Sequence, residues 1–186
     1  MPPTSTRTVT LVLGGARSGK SRYAQRLAST YRKVVFVATA QPGDSEMRRK
    51  IAAHRRQRPA SWKTVEAPNN LDRIIREESP GADVLVIDCL TLYLAHLMGD
   101  DGGRRAVRLR IRQVCKAIQT SRASIILVSN EVGSGIVPAF RSGRDYRDLL
   151  GELNQKIAGL ADRVVLMVAG LPINCKGGAG ESRPRA

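Results

Sequence analysis

Eight residues constrain this chain more than any others: Gly14-Gly15-Ala16-Arg17-Ser18-Gly19-Lys20-Ser21. They fit G-x-x-x-x-G-K-[ST], the phosphate-binding P-loop. The glycines let the backbone curl until successive N–H groups converge on one point. The positive end of the following helix adds to that nest. In this arrangement Lys20 reaches the β- and γ-phosphates of a nucleotide, and Ser21 offers its hydroxyl to Mg²⁺. The motif needs a strand before it and a helix after it. Val9-Thr10-Leu11-Val12-Leu13 is β-branched and apolar. Ser21 to Tyr31 carries Tyr23, Ala24, Leu27, Ala28 and Tyr31 at helical spacing. A Gly-rich turn without a ligand is the alternative, and both flanks speak against it.

Further along, short apolar runs alternate with helical patterns. Val34 to Ala38, Val84 to Ile87, Ile125 to Val128 and Val164 to Val168 read as strands buried on both faces. Trp62 to Glu66 and Leu171 to Cys175 read as further short strands. Helices are expected from Asp44 or Ser45 to Gln57, over Leu71 to Glu78, Leu90 to Met98 and Arg104 to Thr120, and through Tyr146, Leu149, Leu150, Leu153, Ile157 and Leu160. The implied fold is α/β: one P-loop NTPase-like domain over 9–176, a mostly parallel sheet with helices on both faces. Flexible tails are expected at 1–8 and 177–186, the second rich in Gly, Pro and Arg. In such sheets ligands bind beyond the C-terminal strand ends. The P-loop, Thr39, Asp88 and Asn130-Glu131 all fall there, so they can share one cleft. Asp88 closes Val84-Leu85-Val86-Ile87 as the acid of a Walker B strand, placed to meet Mg²⁺ with Ser21. A capping role at the next helix is the plainer alternative for it.

Charge and cysteines narrow the function classes. The 186 residues carry a formal net charge of +15, which suits anionic partners or a solvated basic surface. Aromatics make up 4%, which argues against a stacking platform for single-stranded nucleic acid. Cys89, Cys115 and Cys175 form no CxxC pair, so neither a zinc site nor a disulfide framework is implied. Met1 to Thr8 lacks the apolar core of a signal peptide, and no apolar run approaches the roughly 20 residues of a membrane span. A cytoplasmic, membrane-free protein is expected.

A P-loop with a Walker B acid specifies a nucleotide, not a reaction. His54 is the other informative residue. Arg48, Arg49, Lys50, Arg55, Arg56 and Arg58 crowd around it. Neighbouring cations disfavour imidazolium, so the ring stays neutral and nucleophilic near neutral pH. A neutral imidazole can attack phosphorus and form a phosphoramidate, while arginines stabilise the phosphoryl oxygens. A surface histidine on a basic helix remains the plainer reading from the residues alone. His96 sits in an apolar helix and takes that plain reading.

Taken together, these segments resemble the bifunctional adenosylcobinamide kinase/adenosylcobinamide-phosphate guanylyltransferase family. The resemblance rests on the P-loop followed by Arg22, and on Ala38-Thr39-Ala40. It rests equally on His54-Arg55-Arg56-Gln57-Arg58-Pro59 with Trp62, Thr64 and Glu66, and on Asp88-Cys89-Leu90-Thr91. Two further runs carry it: Asn130-Glu131-Val132-Gly133-Ser134-Gly135-Ile136-Val137-Pro138, and Arg147-Asp148 with Gly151, Asn154 and Gln155. It spans roughly Thr10 to Lys176, with the motifs in the family's order.

The resemblance implies two activities in the assembly of cobalamin's nucleotide loop. The first phosphorylates adenosylcobinamide with a nucleoside triphosphate, ATP or GTP. The second transfers GMP from GTP to adenosylcobinamide phosphate through a GMP-histidine intermediate, releasing pyrophosphate and giving adenosylcobinamide-GDP. It further implies His54 as the nucleophile beside Lys20. Its nucleotide contacts map to Gly14, Gly15, Ala16, Arg17, Ser18, Gly19, Lys20 and Ser21. The others are Ala38, Thr39, Ala40, Arg55, Arg56, Gln57, Arg58, Glu66 and Asp88. Mg²⁺ is implied as cofactor, a homo-oligomer, trimeric in the family, as the assembly, and no nucleic acid as partner. A single-activity P-loop kinase of a small metabolite and a nucleic-acid-dependent ATPase are the rival readings.

Overall fold

Five of the apolar runs become neighbouring parallel strands, because such runs can be buried only by cover on both faces. The computed structural model describes residues 7–41, 49, 58–99 and 103–177. Seven strands form one sheet: β1 (Val9–Gly14), β2 (Val34–Ala38), β3 (Lys63–Glu66), β4 (Val84–Asp88), β5 (Ser124–Val128), β6 (Arg163–Val168) and β7 (Leu171–Lys176). Their order is β3-β2-β4-β5-β1-β6-β7. All pairings are parallel except the last, β6 with β7. The P-loop strand β1 therefore lies inside the sheet, next to β5 and two places from β4.

The helices divide unequally between the faces. α1 (Lys20–Ala28) lays Tyr23, Ala24 and Ala28 on one face, against Val12, Phe36, Val86 and Val128. On the other face lie α2 (Leu71–Glu78), α3 (Leu90–Gly99), α4 (Gly103–Thr120) and α5 (Arg141–Leu160). They bury Ile75, Tyr93, Leu94, Ile111, Ile118, Leu150 and Leu153 against Leu11, Val37, Leu85 and Ile125. Helices thus cover both faces, as the alternating pattern predicts.

Some boundaries differ from the periodicity, each for a local reason. α1 ends at Ala28 rather than Tyr31, because the Ser29 and Thr30 hydroxyls turn back to the carbonyls of Arg26 and Leu27 at 2.8 and 2.9 Å. Such caps satisfy carbonyls that the helix end leaves unpaired. Trp62 closes a turn onto the Pro59 carbonyl at 3.1 Å, so β3 begins one residue later. The antiparallel return of β7 is set by Ala169 (φ 50°) and Gly170 (φ 84°). Two successive positive φ values make the tight hairpin turn that parallel strands cannot use. The helix expected up to Gln57 falls outside the described residues, apart from Arg49, as do 1–6, 100–102 and 178–186.

Candidate active site

Parallel strands all deliver their C-terminal ends to one edge. Here Glu66 pairs with Ala38, Ala38 with Asp88, Asp88 with Val128, and Val128 with Val12. Glu66, Ala38–Ala40, Asp88, Asn130 and the P-loop are thereby strung along one edge in that order.

At the P-loop end the backbone does the work. Gly14 holds φ 148°, and a Cβ there would lie 2.5 Å from the Met167 carbonyl oxygen and 2.7 Å from Ser18 Oγ. Gly19, with φ 94°, opens α1, and no side chain caps the helix's first turn. Those N–H groups are left for an anion. The loop is braced from both sides. The Gly14 carbonyl accepts from the Glu131 N–H at 3.1 Å, and the Ser18 carbonyl from the Gly170 N–H at 3.1 Å. Lys20 is buried, and its Nζ donates to the Gly15 carbonyl at 2.5 Å. Burial lowers the Lys20 pKa, while Cys89 and Asp88 push it back up. An amine held with this little solvent is ready to exchange a carbonyl for a phosphate.

The end of β4, which carries Asp88, is locked to its neighbour β2. Thr39 is fully buried at the end of β2. Its Oγ1 donates to the Cys89 carbonyl at 2.7 Å and accepts from the Cys89 N–H at 2.8 Å. The Thr39 N–H donates to the Asp88 carbonyl at 3.3 Å. Burial first, and Asp88 second, push the Cys89 thiol up to about 11.

At the end of β5, Asn130 is held through both of its main-chain groups. Its N–H donates to Thr91 Oγ1 at 2.8 Å, and its carbonyl accepts from Asn154 Nδ2 at 3.0 Å. Glu131 turns its carboxylate onto the next loop, accepting from the N–H groups of Gly133 at 2.8 Å and Ser134 at 3.1 Å. Burial raises its pKa, but these amides outweigh it and the net shift is downward. The loop that follows exposes Ile136, Val137 and Phe140.

The structure therefore brings together Gly14 to Ser21, Asp88 and Ala38 to Ala40. The Arg58 guanidinium stacks 3.6 Å from the centre of the Phe36 ring, two residues before Ala38. Glu66 stands apart. It is two strands from Asp88, about 10 Å at the usual spacing between strands, and is exposed. His54, Arg55, Arg56 and Gln57 lie outside the described residues. Thr91, Tyr146 and Asn154 support the site in a way the sequence did not show: Thr91 and Asn154 stood in the runs that carry the resemblance, and Tyr146 in a helical stripe, with no role assigned to any of them. Each is an ordinary polar residue on a helix, and only its meeting with a distant strand end gives it meaning.

A family model for cobinamide kinase / cobinamide phosphate guanyltransferase matches residues 10–175. The chain belongs to that family. The bifunctional adenosylcobalamin biosynthesis protein CobP of Pseudomonas aeruginosa is 46% identical to it over 168 residues, 90% of this chain and 96% of the relative. The CobU protein of the same description from Escherichia coli is 38% identical over 178 residues, 89% of this chain and 98% of the relative. Solved structures bear on the fold alone. An ATPase from the type III secretion system of pathogenic bacteria has a TM-score of 0.56 at 11% identity, over 90% of this chain and 56% of that one. A Pyrococcus horikoshii OT3 protein has a TM-score of 0.54 at 9% identity, over 91% and 86%. No described helix of this cobinamide kinase/guanyltransferase family member is long and apolar enough to cross a membrane.

Proposed function

We propose that this one cleft performs two phosphorus transfers in turn on a corrinoid. In the first, the aminopropanol hydroxyl of adenosylcobinamide attacks the γ-phosphorus of a nucleoside triphosphate. In the second, His54 attacks the α-phosphorus of GTP, pyrophosphate leaves, and the GMP-histidine is taken up by adenosylcobinamide phosphate to give adenosylcobinamide-GDP. The observation that carries the reading is the alignment of an uncapped phosphate nest, buried Lys20 and Asp88 on one sheet edge, in a chain of this family.

Each residue has a physical task. The first-turn amides of α1 and Lys20 hold the phosphates and offset the charge that develops on them. The hydroxyl of Ser21 and the carboxylate of Asp88 are hard oxygen donors, the kind Mg²⁺ takes. Among the described residues no group of three or more His, Cys, Asp and Glu could hold a metal. A Mg²⁺ shared with nucleotide phosphates and water needs no such group. Held by Ser21 and Asp88, such an ion would neutralise charge on the phosphates. Glu66, far along the edge, suits the nucleoside end of the substrate better than the metal. Arg55, Arg56 and Arg58 would keep His54 neutral and, with Gln57, grip GTP. Exposed Ile136, Val137 and Phe140 offer the corrinoid an apolar rim beside the cleft.

The assembly read here is a homo-oligomer, a trimer by resemblance, and light scattering tests it. Unpaired Cys89, Cys115 and Cys175 suit a reducing cytoplasm. The functional test is incubation with adenosylcobinamide, ATP, GTP and Mg²⁺. Adenosylcobinamide phosphate followed by adenosylcobinamide-GDP is expected. Phosphate product alone would leave a single-activity kinase. Hydrolysis stimulated by nucleic acid would point to the ATPase reading.

A further inference from the structure

β5 lies between the strand that carries Asp88 and the strand that carries the P-loop. Asn130 is the second residue past its end, between Asp88 and the P-loop along the sheet edge. The chain around it is unusually well fastened for a loop. The Ser129 N–H donates to the Val12 carbonyl at 3.0 Å and the Glu131 N–H to the Gly14 carbonyl at 3.1 Å. Between these, both main-chain groups of Asn130 are held from the helix side, by Thr91 and Asn154. Thr91 is itself held, since the Tyr146 hydroxyl donates to its carbonyl at 3.1 Å.

So much fixing of the backbone leaves the Asn130 side chain as the group on display. Asn130 follows by two residues Val128, whose side chain packs on the α1 face, the side from which the P-loop enters its helix. No side chain among the described residues bonds its carboxamide. A carboxamide is uncharged and carries both a donor and an acceptor. It can accept from a substrate hydroxyl while donating to a phosphoryl oxygen, without repelling the phosphates as a carboxylate would.

We propose that Asn130 is a catalytic residue of the kinase step, orienting the acceptor hydroxyl against the γ-phosphorus, and that Thr91 and Asn154 are its positioning residues. The inference rests on the kinase reading given above. In the step, the hydroxyl oxygen forms a bond to the γ-phosphorus as the bond to the β–γ bridging oxygen breaks. The nucleoside diphosphate leaves, and the hydroxyl proton passes to water. Asn130 aligns the oxygen and takes no proton. Attack by His54 at the α-phosphorus, two phosphates away, does not use it.

The test separates the two steps. Asn130→Ala should lower kcat for adenosylcobinamide phosphorylation about 100-fold, as loss of an aligning donor does. GMP labelling from α-labelled GTP at saturating nucleotide should fall far less than the kinase turnover. Thr91→Val, which removes the acceptor of the Asn130 N–H, should lower the same kcat about tenfold, the worth of one hydrogen bond. Thr91→Ser, which keeps the hydroxyl, should restore it. Kinase turnover unchanged in Asn130→Ala overturns the assignment. Equal loss of kinase and labelling in a variant that melts like the wild type overturns it too, making Asn130 a structural residue. A wild type that makes no adenosylcobinamide phosphate overturns the kinase reading and this assignment together.

Discussion

Thr39 and Cys89 hold each other twice: one hydroxyl donates to the Cys89 carbonyl at 2.7 Å and accepts from its N–H at 2.8 Å. The pair fastens the ends of β2 and β4 next to Asp88, where strand pairing alone would run out. A hydroxyl is needed, because a methyl of the same shape leaves a buried donor and acceptor unpaired. Thr39→Val should therefore cost about 2 kcal/mol or more of stability, read as a fall in Tm of several degrees. It should also raise the Mg²⁺ concentration needed for turnover. Thr39→Ser should behave like the wild type. A valine variant with unchanged Tm and metal titration would remove this clasp from the account.

Lys20→Ala should abolish both activities, since both need the phosphates held and their charge offset. GTP affinity by calorimetry should fall about 10- to 100-fold, the range for hydrogen bonds to a charged group. Unaltered affinity would mean that the nest alone binds the nucleotide.

That the P-loop and Asp88 share one sheet edge was legible in the residues, and the reasons differ by element. The P-loop announces itself because its chemistry is local: glycines, lysine and serine lie within eight positions. Asp88 is legible because a four-residue apolar run must be a buried strand, and such a strand can expose only its end. The Thr91–Asn130–Asn154 network was hidden, because its partners stand 39 and 24 residues apart and no periodicity encodes their meeting. Glu131 does meet the P-loop, through its N–H on the Gly14 carbonyl, but that its carboxylate is spent on the amides of Gly133 and Ser134 was not legible. The order of the strands was likewise beyond reach, since local pattern fixes a strand's burial and not its neighbours.

Asp88→Asn keeps the shape of the side chain and removes its charge. The variant should need more Mg²⁺ for half-maximal turnover, while nucleotide binding without metal changes little. EDTA should stop the wild type. An identical metal titration in Asp88→Asn would take this residue out of the metal site and leave it as a helix-capping acid.

Glu131 gives the loop after β5 a pH dependence. Its folded pKa lies below the usual 4.5, so its contribution is complete above 4.5 and is lost as the pH falls through the lower folded value. Hydrogen exchange at the amides of Gly133 and Ser134 should therefore quicken only in acid, beyond the intrinsic pH trend. Glu131→Gln should show faster exchange at neutral pH and no such acid step. Protection that is flat with pH in the wild type would rule the carboxylate out as the anchor.

His54 is the nucleophile on which the second transfer depends, and one labelling measurement reaches it directly. The protein is incubated with α-labelled GTP and Mg²⁺, denatured in alkali, where a phosphoramidate survives, and cut with trypsin. Cleavage after Lys50 and Arg55 isolates Ile51-Ala52-Ala53-His54-Arg55. GMP is expected on that peptide, and no label in His54→Ala, which keeps much of its kinase activity because the hydroxyl attacks the γ-phosphorus without a histidine. Label that persists in His54→Ala, or that maps to another peptide, would contradict His54 as the nucleophile.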